Sequence, residues 1–530
     1  MTASAGSLAQ AIEQFLLEHP GAAVLEEGRV LFEMSTAHYS ISDPHGRCLI
    51  QLWNEERNLA RTVVEVQTRA QSLRILTRRL GSTQPQALEL VACSDRRTPT
   101  ARDAARRNYL HLLKRILTRT WPAAHVDGLR SAMDLEHSFG PAYARGRLLQ
   151  GSSADAIIAI NASESSAAID GILTLGLLWL DYCREHSGGG RRHYGGLRLF
   201  VPPGSEHTTA ERLAWMNPSL AHFQLFTLNE RSEELKEVDC HDFGNLKSRL
   251  MTASTAETVF ERCSDGIARL MTQVPESMQA QVELRANSAT ETGLLLHGLE
   301  FGRVRLTVSA VSFRRELQIS FGAGANETPL LPENEALCRS LLRTLFHHRQ
   351  PGGSHTNPLF RMQPERWLES RLRRHSEEIL PGLNANPIYS QVPALANGER
   401  GMLDLLALDR TGRLCVVEVK ANEDLHLPLQ SLDYWIRVRA LLEDCQAVSP
   451  GSRPLTAFER QGYFSGAELS RLQPRLILVA PALRIHPANE IVLRALSPQI
   501  EWELIAVGED WRNELRVTFR KHSNGPSSLR

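Results

Sequence analysis

A continuous apolar run that carries two charges, LCVVEVKANED (Leu414 to Asp424), constrains this chain more than any other segment. An unbroken run of strand-forming apolar residues predicts a strand in a sheet that is covered on both faces. Glu418 and Lys420 are two residues apart, so they share one side of that strand. Burial of charged groups costs free energy unless a partner compensates them. The segment therefore predicts either a mutually neutralising pair or a site for a charged ligand.

The last third of the chain alternates between helical and strand patterns. Apolar residues at helical spacing predict a helix over residues 363–380. Three strands are expected next, and the second and third form a hairpin across DRTG, residues 409–412. The remaining pattern predicts, in order, a helix (LPLQSLDYWIRVRALLEDC), a strand (PRLILVAPA), a helix (ANEIVLRALS) and two strands (IEWELIAVG and ELRVTFRK). We therefore expect an α/β fold with a mixed sheet.

Composition argues against several classes of protein. The 530 residues include 60 basic and 60 acidic side chains, so binding to a polyanion would need local patches. No apolar run approaches the ~20 residues of a spanning helix, and the N-terminal segment predicts an amphipathic helix rather than a secretory signal. The eight cysteines are scattered without a C-x-x-C pair, which argues against a zinc ribbon or a disulfide framework. We expect a cytoplasmic protein with no membrane partner.

A second carboxylate lies near Glu418 in the predicted hairpin. Asp404 precedes Glu418 by fourteen residues, on the preceding strand, so the hairpin can bring both carboxylates to one end of the sheet. Two carboxylates suit Mg²⁺ or Mn²⁺ and leave positions for water and a phosphate. Lys420 would stabilise the attacking water or the developing negative charge. Only five of the 60 basic residues are lysines, which favours a specific role for Lys420.

These residues and their order resemble the PD-(D/E)XK nuclease superfamily, which has the restriction-endonuclease-like αβββαβ core. The matching pattern is Asp404-x13-Glu418-Val419-Lys420 within a helix–strand–strand–strand–helix–strand order. The resemblance covers about residues 356–530. The following helix contains QSLDY, whose Q-x-x-x-Y spacing is that of the RecB and λ-exonuclease-like branch, and residues four apart share a helix face.

One position departs from the family pattern. Leu403, rather than proline, precedes Asp404. Gly401, three residues before Asp404, is a common substitute in RecB-like members, so this difference weakens the resemblance little.

The resemblance implies a Mg²⁺- or Mn²⁺-dependent nuclease acting on nucleic acid, with DNA favoured. Its metal ligands would be Asp404, Glu418 and Val419. Lys420 would position the water, Gln430 would help to orient the lysine, and Tyr434 would contact the substrate phosphate. The branch often has an acidic residue on the first core helix, for which Glu369 is the first choice and Glu365 the second. The implied catalytic set is Asp404, Glu418, Lys420, Gln430, Tyr434 and Glu369.

Four arginines on the predicted helix over 363–380 are candidates for binding nucleic acid. They are Arg366, Arg371, Arg373 and Arg374. A cleft for a nucleic-acid backbone needs positive walls near its metal, and these residues would supply them.

An earlier segment resembles the nuclease-like one without its charges. ADAIIAINASES (154–165) aligns with RLCVVEVKANED (413–424), which puts Ala159 at the position of Glu418 and Asn161 at that of Lys420. His111 aligns with Glu369, and Arg145 with Asp404. GLRLFVPP (196–203) aligns with PRLILVAP (474–481), and the blocks that follow also correspond. The pattern predicts a duplicated domain that has lost its catalytic residues, although two unrelated α/β segments could share the same apolar texture.

We therefore expect four domains. They are an α+β accessory domain (1–100), a degenerate nuclease-like domain (101–250), a second α+β accessory domain (251–355) and the nuclease-like domain (356–530). A function of a different class remains open: a non-catalytic nucleic-acid-binding or assembly protein in which both nuclease-like copies serve as platforms. An intramolecular pseudo-dimer of the two copies fits either function. Glu418 and Lys420 could also be a purely structural pair.

Overall fold

The computed structural model describes most of the chain, in two compact units. The first unit comprises Met1–Glu206 and Gln224–Val238, and the second comprises His207–Phe223 and Asp239–Arg530. The described residues are 5–19, 22–26, 29–34, 37–42, 48–53, 58–68, 72–78, 85–92, 99–134, 137–186, 192–242, 249–253, 256–308, 314–323, 327–384, 386–396, 399–447 and 453–523. No helix in these ranges combines the length and apolarity needed to cross a membrane.

The first unit begins with one helix and an antiparallel sheet. The elements are α1 (Ala5–Glu18), β1 (Ala23–Glu26), β2 (Arg29–Glu33), β3 (His38–Ser42), β4 (Leu49–Trp53), β5 (Asn58–Thr68), β6 (Ser72–Arg78) and β7 (Pro85–Val91). The strand order is β2-β1-β7-β6-β5-β4-β3. Buried and exposed residues alternate along β4, as expected for a sheet with one solvated face. Ile12 of α1 packs with Ile50 and Leu52 in one core.

The next elements build a mixed sheet. They are α2 (Pro99–Thr120), β8 (His125–Arg130), β9 (Tyr143–Gln150), β10 (Ser153–Ile160), α3 (Ser166–Asp170), α4 (Ile172–Glu185), β11 (His193–Val201), β12 (His222–Asn229) and β13 (Glu234–Val238), while α5 (His207–Leu213), which follows β11 in the chain, belongs to the second unit. The order is β13-β12-β11-β10-β9-β8, and β10 and β11 are parallel. Helix α4 packs on β10 and β11, while Leu113 and Ile116 of α2 pack with Ile157 and Phe200.

The second unit contains an antiparallel meander with helices. Its elements are β14 (Arg249–Leu250), α6 (Ala256–Arg262), α7 (Ser264–Met271), β15 (Val282–Ser288), β16 (Glu291–Leu296), β17 (Leu299–Val308), β18 (Arg315–Phe321), β19 (Thr328–Pro329) and α8 (Glu335–His348). Strands β15 to β19 lie in sequence order. Leu270 of α7 and Leu342 of α8 pack with Phe301 and Val304 of the sheet.

The last elements form the sheet that contains the candidate residues. They are α9 (Pro358–Arg361), α10 (Pro364–Arg374), α11 (Ser376–Ile379), β20 (Tyr389–Ala396), β21 (Glu399–Leu408), β22 (Leu414–Val419), α12 (Leu427–Glu443), α13 (Ala457–Arg460), β23 (Arg475–Pro481), α14 (Ala488–Arg494), β24 (Trp502–Val507) and β25 (Val517–His522). The order is β14-β20-β21-β22-β23-β24-β25. Strands β20 to β22 are antiparallel neighbours, whereas β22, β23 and β24 are parallel.

Helices cover both faces of this sheet, as the apolar strands predict. Trp367 and Leu372 of α10 pack with Val417 and Val479 in one core. Helix α12 packs against β22 and β23, and its Trp435 indole donates a 2.7 Å hydrogen bond to the Pro474 carbonyl. Every residue of β22 is buried, as expected for a strand covered on both faces. The mixed sheet and its covering helices confirm the α/β architecture expected from the sequence.

The mixed sheets of the two units share their strand order and one strand register. Reading from β8 to β13 in the first and from β20 to β25 in the second gives the same sequence of neighbours. In the central parallel pairs, Ala159 lies opposite Phe200 and Glu418 lies opposite Leu478. Glu418 follows Ala159 by 259 residues, and Leu478 follows Phe200 by 278 residues. These are also the offsets between the aligned sequence blocks. The two mixed sheets therefore share their topology and the register of their central strands.

Two details of the sequence alignment between the copies are wrong. Ala144, not Arg145, lies opposite Ala159, so Ala144 stands where Asp404 stands in the second sheet. Arg145 is instead buried and donates hydrogen bonds to the carbonyls of Ala132 and Gly140. His111 is exposed on α2, whereas Glu369, its aligned counterpart, is buried. Helical periodicity alone does not determine which of two neighbouring turns faces the sheet.

Candidate functional site

Asp404 and Glu418 lie opposite each other where β21 and β22 separate. The main-chain ladder between the strands ends at the pair Leu405 and Val417, and Asp404 and Glu418 are the next residues on each strand. Beyond that point a side chain takes the place of a main-chain acceptor, because Asp404 Oδ2 accepts a hydrogen bond from the Val419 N–H at 3.0 Å. The predicted hairpin therefore does bring the two carboxylates together.

Burial makes this pair of carboxylates electrostatically costly. Glu418 is only 3% exposed, and burial, followed by the nearby Asp404, raises its pKa well above the ordinary value. Burial also raises the pKa of Asp404, against the lowering effect of the Val419 N–H. Glu418 Oε2 is buried and accepts no hydrogen bond from any described residue. Adjacent buried carboxylates need a proton or a cation between them, and these two are close enough to share a hydrogen-bonded proton when no cation is bound.

Lys420 belongs to the same cluster. Its Nζ lies 3.8 Å from Glu418 Oε1 and 3.7 Å from Asp424 Oδ2. Its main-chain N–H donates to the Val479 carbonyl at 3.0 Å, which continues the parallel pairing with β23. Burial opposes the charged form, but Glu418 and the other nearby carboxylates raise the pKa of the ammonium above its ordinary value. Lys420 is therefore a charged donor beside the carboxylate pair.

Helix α10 contributes an acidic residue on the Asp404 side. Glu369 is 5% exposed, and burial raises its pKa to about 8 against the lowering effect of Arg366. Gln391 Nε2 links the two acids, since it donates to Glu369 Oε2 at 2.7 Å and to Asp404 Oδ1 at 3.1 Å. Gln391 has a φ of +54°, a backbone conformation that is uncommon for residues other than glycine. The strand backbone thus adopts an unusual conformation where this amide meets both acids.

Glu365, the second choice on this helix, lies on the lysine side of the cluster. Burial raises its pKa, Lys420 lowers it, and the neighbouring Asp404 and Asp424 raise it further. Glu365 and Glu369 are one turn apart on α10, so both can face the cluster. The structure therefore brings both candidate glutamates to the site, each beside a different partner.

The Q-x-x-x-Y residues lie one turn apart on α12. Gln430 and Tyr434 are both half-buried. Burial raises the pKa of the Tyr434 hydroxyl, and the charges of Glu418 and Asp404 raise it further, so the ring lies within electrostatic range of the carboxylates. The Arg437 guanidinium lies 5.8 Å from the centre of the Tyr434 ring. The helix thus presents a neutral phenol and a cation towards the same region.

The four candidate arginines have different surroundings. Arg366 Nη1 lies 3.1 Å from Glu369 Oε2. Arg373 lines a small cavity together with Glu369. Arg371 donates to the Asn513 carbonyl at 3.1 Å, and Arg374 pairs with Glu283. Arg371 and Arg374 therefore already have internal partners, whereas Arg366 belongs to the carboxylate cluster.

Two residues of the cluster were not identified from the sequence. Gln391 lies in the strand segment PIYSQVPAL, where an amide among apolar residues was the available signal. Asp424 is the acid four residues after Lys420 in LCVVEVKANED. Both roles depend on side-chain contacts that sequence spacing does not specify.

The donor set is compatible with one hard divalent cation. Among the described residues there is no ready-made group of three or more His, Cys, Asp or Glu side chains for a metal. The available donors are the carboxylates of Asp404 and Glu418 and the carbonyl of Val419, the only group through which a valine can bind a metal. Mg²⁺ commonly takes one or two carboxylates and keeps its other positions for water and phosphate. The unpartnered Glu418 Oε2 fits such a cation.

Comparisons with known proteins do not assign this site to a family: no model of a known protein family matches the chain, and no curated protein matches it.

Proposed function

We propose that this protein is a metal-dependent nuclease that hydrolyses phosphodiester bonds in nucleic acid, with DNA as the substrate. The observation that supports this function best is the convergence of Asp404, Glu418 and Lys420 around a buried carboxylate oxygen without a partner. A purely structural Glu–Lys pair would not need Asp404 beside it, because a second buried acid makes the cluster less stable.

Each group has a distinct task in this proposal. A bound Mg²⁺ or Mn²⁺ would supply positive charge against the phosphoryl oxygens. Asp404 and Glu418 hold the cation, and the Val419 N–H fixes the orientation of Asp404. Lys420 donates to the attacking water and offsets the charge that develops in the transition state. Tyr434 contacts the substrate phosphate from α12, where a neutral phenol can donate without adding negative charge, and Gln430, one turn earlier on the helix, helps to orient Lys420.

Glu369 acts differently from the metal ligands in this proposal. Its Oε2 accepts from Gln391 and pairs with Arg366. With these partners, Glu369 orients Asp404 through Gln391 and does not contact the substrate. It is therefore proposed as a positioning residue.

A binding function without catalysis is the second candidate. The mixed sheet of the first unit has the same strand order as that of the second, but alanines stand where Asp404 and Glu418 stand. Helix α2 of that unit presents an open concavity lined by His111, Lys114, Arg115, Thr118 and Arg119, in which Arg115 and Arg119 also pair with Glu233. Such a surface suits contacts to a phosphate backbone that do not depend on sequence. The silent copy could thus bind nucleic acid whether or not the second unit cleaves it.

A cleavage assay separates the two functions. Labelled single- and double-stranded DNA and RNA are incubated with the full chain and Mg²⁺, Mn²⁺ or EDTA. We expect DNA cleavage that requires the divalent ion and is lost in Lys420→Ala. Lys521→Ala is the matched control, since Lys521 lies on β25 and pairs with Glu490. Cleavage that persists in Lys420→Ala, or no cleavage with any substrate and metal, would contradict the nuclease proposal.

A further inference from the structure

Two donors of the protein already serve the acids on the Asp404 side of the cluster. Arg366 Nη1 lies 3.1 Å from Glu369 Oε2 and 4.0 Å from Asp404 Oδ1. Gln391 Nε2 donates to the same two oxygens, at 2.7 Å and 3.1 Å. The Gln391 amide therefore bridges the two acids by hydrogen bonds, and the Arg366 guanidinium, hydrogen-bonded to Glu369 alone, adds a positive charge 4.0 Å from Asp404.

The Glu418 side of Asp404 is different. Glu418 Oε2 is buried and accepts no hydrogen bond within the described part of the chain. Lys420 Nζ, the nearest charged donor to this carboxylate, is 3.8 Å from the other oxygen, Oε1, which is too far for a hydrogen bond. The carboxylates at Glu369 and Asp404 thus have protein donors, although Gln391 Oε1 is itself a buried acceptor without a partner among the described residues, whereas at Glu418 a carboxylate oxygen has no donor among them.

The backbone of Arg366 is held in place by the preceding β-meander. Gly298, between β16 and β17, has a φ of +75°, and a Cβ added there would lie 2.0 Å from the Arg366 carbonyl oxygen. The buried Arg349 guanidinium donates to the carbonyls of His297 and Met362, on either side of this contact. Because the main chain is held on both sides, the Arg366 side chain starts from a defined position beside Glu369.

We propose that Arg366 takes the place of a second divalent cation, so that the site holds one ion between Asp404 and Glu418 and not two. This inference rests on the proposed metal-dependent function. Arg366 already supplies a positive charge beside Glu369 and Asp404, whereas Glu418 Oε2 has no hydrogen-bond donor among the described residues. A second ion beside Glu369 would meet the guanidinium at close range and be repelled.

Counting bound ions tests this without an activity measurement. Titration of the full chain with Mn²⁺, followed by calorimetry and by the electron paramagnetic resonance of free Mn²⁺, gives the number of ions per chain. We expect one for the wild type and two for Arg366→Met, which removes the guanidinium from between the acids. Arg361→Met is the charge-matched control, because Arg361 is an exposed arginine of α9 outside the cluster, and we expect this variant to bind one ion.

The outcomes distinguish the two proposals. Two ions in the wild type, or one in Arg366→Met, would overturn the role of Arg366 and leave the nuclease proposal standing. No ion in the wild type would contradict the metal site itself and both proposals with it. Circular dichroism checks that each variant is folded. If Arg366→Met does not fold, Arg366→Gln can still donate to Glu369 without the charge, and its expected count is again two.

Discussion

Asp404 accepts through Oδ2 the main-chain N–H of Val419, at 3.0 Å, where the ladder between their two strands has ended. A side chain thus satisfies a strand N–H that would otherwise lack its partner. The same bond fixes the Asp404 carboxylate beside Glu418. Where the two strands separate, the Asp404 side chain can therefore bond to the Val419 N–H, and this bond orients its carboxylate beside Glu418.

The buried carboxylate of Glu418 should be required for cation binding but not for folding. We expect Glu418→Gln to lose the rise in melting temperature that Mn²⁺ gives the wild type, because stabilisation by a ligand requires its site. Without metal, stability should be unchanged or higher, since the pKa of Glu418 is raised by burial and an amide removes that cost. Thermal melts with Mn²⁺ or EDTA provide the measurement.

Glu378→Gln is the control, because that side chain is 72% exposed. A loss of more than about 2 kcal/mol in metal-free Glu418→Gln would indicate a structural role instead.

Stability should depend on pH through Glu369. Its pKa is about 8 in the folded protein and near the ordinary 4.5 in the unfolded chain, so the folded state binds the extra proton between these values. Stability therefore decreases as the pH rises from about 4.5 to about 8. We expect the melting temperature in EDTA to fall from pH 5.5 to pH 8.5, and to fall less in Glu369→Gln. The difference between the two curves isolates Glu369 from Glu418 and Asp404, whose raised pKa values act in the same direction. Parallel curves would show that Glu369 does not titrate in this window.

The ammonium of Lys420 should matter for the reaction rate and not for stability. Loss of one preorganised donor at the reacting group typically lowers a rate by about 10²–10³-fold. We expect that decrease in kcat for Lys420→Met, with the melting temperature within a few degrees of the wild type, since its contacts of 3.7 Å to Asp424 and 3.8 Å to Glu418 are too long for hydrogen bonds. Lys420→Arg should not restore the rate, because a planar guanidinium does not replace a compact ammonium. Lys521→Met serves as the control, and full activity in Lys420→Met would exclude the proposed role.

The contact between Gly298 and Arg366 should be essential for stability. Alanine at 298 would clash with a main-chain carbonyl and take up a left-handed φ, and overpacking alone costs about 1–3 kcal/mol. We expect Gly298→Ala to lower the free energy of unfolding by that amount or more and to weaken Mn²⁺ binding. Gly352 is the matched control, because its φ is +77° and a Cβ added there would have no atom within 4 Å. Alanine at 352 therefore loses only the free energy of the left-handed backbone conformation, without a clash. Urea denaturation compares the two variants, and equal losses would show that the contact at Arg366 is unimportant.

Part of the site follows from local pattern. An apolar run with charges two residues apart is a buried strand with both charges on one side, and the turn DRTG sets the register of the hairpin. Together they bring Asp404 opposite Glu418. Similar reasoning aligned Ala159 with Glu418, and the parallel strand pairs reproduce this match.

The sequence by itself determined the order of helices and strands and the placement of Asp404, Glu418 and Lys420 in one cluster, because these depend on short-range periodicity and one hairpin. Only the tertiary structure showed Gln391 between Glu369 and Asp404, Arg366 beside Glu369, and Gly298 against the Arg366 backbone. These contacts join residues from separate elements, so no spacing along the chain encodes them. Which side chain reaches an acid is decided by the packing of whole helices and strands, and therefore the identity of each charge's partner is a property of the fold.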